Sequence, residues 1–115
     1  MKEFVLIFRH SDTARETPTA AQMKERTEWL ERIAAEGKLV DTGKNLSVGN
    51  AKTVRSEAMV TDGPYAEIKE FISGFVTVRA ESMDEAVAFA KANPVFALGG
   101  FVEVREVIVP GSDPA

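Results

Sequence analysis

The sequence predicts an α+β domain in which two helices cover one face of a four- or five-stranded sheet. Three observations predict it. Two stretches, residues 19–37 and 82–94, combine helical spacing with start and stop signals. The other apolar segments are short, rich in β-branched and aromatic residues, and bounded by glycine, proline or asparagine. Taken in order over 115 residues, the elements read β-α-β-β-β-α-β. That order is a split β-α-β plan with one extra strand, ferredoxin-like in the broad sense.

Each element has its own warrant. Phe4-Val5-Leu6-Ile7-Phe8 lacks polar alternation, which predicts a strand buried on both faces. Arg9-His10-Ser11-Asp12 leaves the sheet. Pro18 and Thr19 introduce the first helix, with Thr19 as its cap and Gly37 as a left-handed stop. Met23, Thr27, Leu30 and Ile33 or Ala34 recur at helical spacing as the inward stripe. Trp29 flanks that stripe as a core or interface anchor, and Lys24, Glu25, Glu28, Glu31 and Arg32 form the wet face.

Leu39 to Gly43 predicts a short second strand, followed by a loop over residues 45–52. Thr53 to Val60 alternates, Val54, Ser56, Ala58 and Val60 against Thr53, Arg55, Glu57 and Met59, and predicts a third strand. Phe71 to Ala80 is the fourth, with Gly74 as a candidate bulge. Ser82-Met83-Asp84-Glu85 reads as a capping box, and Ala86, Val87, Phe89 and Ala90 supply a stripe of small and apolar residues. Asn93-Pro94 stops this helix. Phe101 to Val109 is the last strand, so a single domain is expected over residues 1–110 with a frayed tail over 111–115.

Composition narrows the function classes. The chain has 44% hydrophobic and 28% charged residues, ordinary for a soluble globular protein. The net charge is −4 and the basic residues are dispersed, whereas a nucleic-acid partner would require a basic face. The five-residue apolar run after Lys2 and Glu3 is too short for a signal sequence or a membrane span. Cysteine is absent, which removes a disulfide framework and a thiol nucleophile and suits a reducing cytoplasm. His10 with Asp12, Asp41 or Asp62 lacks metal-motif spacing, so neither a metal nor a cofactor is expected.

The strands also argue for a partner. Phe4, Leu6 and Phe8 oppose Val5 and Ile7; Phe71 and Phe75 oppose Ile72, Val76 and Val78; Phe101 and Val107 oppose Val102, Val104 and Ile108. Two helices can cover only one of these faces. A second apolar face of this kind marks an interaction surface, and a second copy related by a two-fold axis is the simplest cover. A homodimer is expected.

The stretch richest in chemistry is Asp62-Gly63-Pro64-Tyr65-Ala66-Glu67-Ile68-Lys69-Glu70. Its first residues have the makings of a fixed bend, since aspartate bonds the backbone ahead and proline locks φ. Asp62-Gly63-Pro64-Tyr65, with Ala66-Glu67 and Lys69-Glu70 behind it, resembles the signature of the YCII-related family in its DGPF-type branch. The usual phenylalanine of that motif is Tyr65 here. The resemblance runs over nearly the whole chain and implies a dimeric α+β barrel; it implies no particular reaction.

Two readings stand beside each candidate residue. Asp62 is either a general acid or base in a cleft, tuned by Lys69 or Arg9, or the side chain of an Asx-turn. Glu67 and Lys69 either frame a polar pocket with Gly63, Pro64 and Tyr65 or are solvated loop charges. His10, the single histidine, is either a proton shuttle or a residue at a strand exit with no chemistry. Another branch of the family is associated with a histidine–aspartate pair whose histidine lies near the start of the first helix, but residues 20–35 here contain no histidine. Two function classes follow: a small enzyme transferring protons on an organic substrate near Asp62, or a non-catalytic ligand-binding or accessory regulatory module.

Overall fold

A computed structural model describes residues 1–11, 19–47, 50–63 and 70–111. Strand β1 (Lys2–Ser11), helix α1 (Ala20–Ala35) and strand β2 (Leu39–Asn45) come first. Two short strands follow, β3 (Lys52–Ser56) and β4 (Met59–Asp62), then β5 (Glu70–Ala80), α2 (Met83–Lys91), a 3-10 helix (Pro94–Leu98) and β6 (Gly100–Glu106). One four-stranded sheet has the order β2-β5-β1-β6, with antiparallel pairing throughout. With the β3–β4 hairpin set aside, this is the ferredoxin-like strand order, and the expected α+β plan holds.

Helix α1 begins where its sequence says it should. Thr19 accepts from the backbone of Gln22, and the Gln22 side chain accepts from the Thr19 N–H, a complete capping box. Gly37, at φ 71°, ends it in the left-handed region. The buried face differs from the expected stripe. Met23 and Thr27 are exposed, whereas Gln22, Arg26, Trp29, Leu30 and Ile33 turn inward. Trp29 is the reason: its bulk and its indole N–H, 2.8 Å from the Phe89 carbonyl, set the rotation of the helix. Its ring also meets Phe8 edge-on at 6.1 Å.

Helix α2 takes Ser82 as its N-cap, its hydroxyl accepting from the Glu85 N–H, but the expected box is only half formed because the Glu85 carboxylate reaches past Ser82. One carboxylate oxygen accepts from the Glu81 N–H and the other accepts from Lys38 at 2.8 Å, tying α2 to the start of β2. The small residues Ala86 and Ala90 let α2 lie close on the sheet. Phe4, Leu6 and Phe8 from β1 and Val76, Val78 and Ala80 from β5 meet Trp29, Ile33, Ala86, Ala90 and Val95 in one core.

Three details correct the sequence reading. The expected single strand over residues 53–60 is a hairpin that turns at Glu57-Ala58. Its alternation never meets a core, as Val54 at 70% exposure and Val60 at 53% make plain, so nothing holds the segment straight through Ser56-Glu57-Ala58. Second, Phe8 pairs with Gly74 but Arg9 with Ile72, so Ser73 is an extra residue and the strand bulges at the expected place. Beyond that bulge Ile72 no longer shares a face with Val76 and Val78. Third, β6 stops at Glu106 after one further bond, Val107 N–H to the Glu3 carbonyl, and leaves Ile108 and Val109 exposed off the sheet.

The open face is consequently more mixed than expected. Register gives it Val5, Ile7 and Arg9 from β1, Phe75 and Thr77 from β5, and Phe101, Glu103 and Arg105 from β6. An apolar centre is bordered by charge. Residues 112–115 of the expected tail lie outside the described residues.

Candidate functional site

The sheet brings two distant stretches of sequence together. β1 leaves the sheet at its C-terminal end, where β5 enters, and the last paired positions are His10 with Phe71 and Ser11 with Glu70. His10 is therefore a register neighbour of the end of the Asp62–Glu70 segment. On its other side His10 pairs with Gly100, the first residue of β6. Gly99, at φ 75°, caps the 3-10 helix and turns the chain into that strand.

Gly100 is buried and has no room for a side chain. A Cβ there would stand 2.6 Å from Val95 Cγ2, 2.8 Å from His10 Cε1 and 3.0 Å from the Arg9 carbonyl oxygen. The glycine thus lets the imidazole lie against the strand. His10 is half-buried, and that burial lowers its pKa from the ordinary 6.5 by penalising the charged ring. At pH 7 the ring is therefore mainly neutral.

Arg9, the next residue along, points the other way, as strand alternation requires. Its Nε donates to Glu103 Oε1 at 2.8 Å on the open face, and Arg105 approaches the other Glu103 oxygen at 3.8 Å. Arg9 and His10 are neighbours in sequence on opposite faces of the sheet.

Asp62 sits at the open end of the hairpin. Its side chain is 92% exposed and pairs with Lys52, directly across the strand pair. Gly63, at φ 80°, turns the chain away; its N–H bonds the Ala51 carbonyl and its own carbonyl accepts from Thr53 Oγ1 at 2.8 Å. These bonds close the hairpin. Pro64, Tyr65, Glu67 and Lys69 lie outside the described residues.

Arg26 and Gln22 are absent from the residues that the sequence singles out, yet α1 turns both inward. The sequence carried a signal for them, but one no stronger than that of the Met23 and Thr27 stripe. The positions 22, 26, 29 and 33 step by four, three and four, a helical stripe centred on Trp29. Among the described residues no group of three or more His, Cys, Asp or Glu side chains is arranged to hold a metal, and no helix is long and apolar enough to cross a membrane.

These features define an α+β protein with a four-stranded antiparallel sheet and a separate two-stranded hairpin, helices on one face of the larger sheet, a second face that no described helix covers and a histidine-bearing sheet end. The model of the YCII-related domain matches residues 3–109, and the chain belongs to that family. It is also similar to an uncharacterized protein of Rhizobium meliloti (strain 1021), 37% identical over 117 aligned positions covering 87% of this chain and 92% of the relative.

Proposed function

We propose that this YCII-related protein binds a small organic molecule at the sheet end where β1 leaves and β5 enters, and that it transfers a proton there. The observation that carries the reading is the register Ser11 with Glu70, which sets His10 beside the end of the Asp62–Glu70 segment. His10, half-buried and neutral at pH 7, is the better supported proton carrier. Asp62 remains a second carrier only if ligand binding draws it from Lys52, and Gly63 to Lys69 would then wall the ligand. Arg9 would serve from the open face, beyond the rim.

The open face supports the homodimer that this reading carries with it. Val5, Ile7 and Phe75 are apolar and share the sheet face opposite the helices, which no helix among the described residues covers. Ile7→Lys should convert a dimer to a monomer in sedimentation velocity; a wild type that already sediments as a monomer removes the dimer. The cysteine-free sequence suits a cytoplasmic protein.

The site is tested by a thermal-shift screen of metabolites against the wild type, His10→Gln and Asp62→Asn. A compound that stabilises the wild type and is turned over only when His10 is present bears out the enzyme. Undiminished turnover by His10→Gln moves the chemistry elsewhere. Binding without turnover favours the alternative, a non-catalytic ligand-binding or accessory regulatory module.

A further inference from the structure

Arg26 has no hydrogen-bond or ion-pair partner among the described residues, although it is half-buried on the inward side of α1. The chain has 18 Asp and Glu against 14 Lys and Arg, and none of the carboxylates among the described residues pairs with this inward arginine. Holding a guanidinium half out of water with no counter-charge among the described residues is unfavourable.

Its position follows from the topology. β1 and β2 both run antiparallel to β5, so they run parallel to each other and α1 must run back between them. The Trp29–Phe8 contact fixes the level at which helix and strand meet. Arg26 precedes Trp29 by three residues, about 4.5 Å along the helix. His10 follows Phe8 by two residues, about 6.7 Å along the strand in the same direction. Both are on the face between sheet and helices, so the guanidinium and the imidazole share one end of the layer. Gln22, one turn nearer that end, spends its amide oxygen on the Thr19 N–H and keeps its amide donors.

We infer that Arg26 holds the carboxylate of a small organic acid whose apolar body lies toward Phe8 and Trp29 and whose reactive carbon faces His10. A carboxylate matches the planar fork of one guanidinium and neutralises its single charge. Gln22 donates one further bond to the same group. This inference rests on the ligand site proposed above and adds its substrate class and its anchoring residue.

The test uses small monocarboxylates, from acetate to phenylpropionate, each paired with its uncharged amide. Binding is followed by the fluorescence of Trp29, the single tryptophan, and by the shifts of the His10 ring. At least one acid should bind about tenfold or more better than its amide, the scale of a charge-assisted bond. Arg26→Met keeps the packing of the stem and should erase that preference, while Arg26→Lys should keep part of it. His10→Gln should keep the preference and lose only turnover. Equal binding of acids and amides, or an undiminished preference in Arg26→Met, overturns the inference and leaves Arg26 a packing residue. Uncharged compounds that still perturb His10 would then keep the ligand site itself standing. Acid preference that survives without any effect on His10 would do the reverse, keeping the anion site and removing the proton transfer.

Discussion

Gly100→Ala is the sharpest probe of how the backbone shapes the site. The added methyl would meet Val95 Cγ2 at 2.6 Å, His10 Cε1 at 2.8 Å and the Arg9 carbonyl oxygen at 3.0 Å. Carbon atoms in contact sit at about 3.5–4.0 Å, so at least two neighbours must move. Val95 is in the core, and the Arg9 carbonyl belongs to a paired strand, so neither gives way freely. The imidazole is only half-buried and ends a strand; it will move most.

Overpacking of this kind costs about 1–3 kcal/mol. In a domain of this size each kcal/mol lowers Tm by roughly 3–6 °C. The displaced ring also gains water. Burial is what lowers its pKa, so the variant should titrate nearer 6.5 than the wild type does. Because His10 is the single histidine, NMR titration of its ring protons reads this without ambiguity. An alanine variant with unchanged Tm and an unchanged His10 titration would refute the packing argument. Loss of stability with no change in titration would place the strain on Val95 and acquit the histidine.

Other perturbations test the frame around the site. Trp29→Phe removes the indole bond to the Phe89 carbonyl, which keeps the Ala92 N–H at 3.2 Å, so urea denaturation should show a loss of about 0.5–1.5 kcal/mol from the lost hydrogen bond. Gly43→Ala should unfold or severely destabilise the chain, since φ is +70° there and a Cβ would fall 1.6 Å from the Phe75 carbonyl oxygen; circular dichroism melting checks it. The hydrogen bond to Lys38 depresses the Glu85 pKa, and its partner bond raises that of Lys38. Their stabilisation is complete between the ordinary values near 4.5 and 10.5. It fades as pH falls through the lowered Glu85 value and as it rises through the raised Lys38 value. Lys38→Met should flatten both limbs in a stability–pH profile. His10 adds a milder loss below pH 6.5, where the unfolded ring takes up a proton that the folded one resists.

What the sequence made legible was what local chemistry decides. Thr19, Gly37, Ser82 and Asn93-Pro94 mark helix ends through bonds to their own neighbours, and the helices begin and end there. The bulge beside Gly74 was legible for the same reason. Helix rotation was not, because the stripe of Met23 and Thr27 is as regular as that of Arg26 and Trp29. Only the Phe89 carbonyl, distant in sequence, decides between them. The hairpin over residues 52–62 was hidden because alternation records pleat and says nothing about whether a neighbouring strand exists.

The same distinction explains why the candidate residues separate in space. Arg9 and His10 are adjacent in sequence, and their proximity suggests one site, but a strand sends neighbours to opposite faces. Glu103 claims Arg9 on the open side, and Gly100 opens a place for His10 on the helix side. Asp62, read as the centre of the motif, is taken by Lys52 at the base of an exposed hairpin. An exposed pair of this kind is worth about 1 kcal/mol or less. It can open whenever a ligand or a second chain offers Asp62 a better partner, so the pairing sets a resting state for that carboxylate. Arg26 reaches the histidine's side of the sheet from a helix that the motif does not include. A site at this end would thus draw its cation and its base from elements that sequence spacing alone could not join.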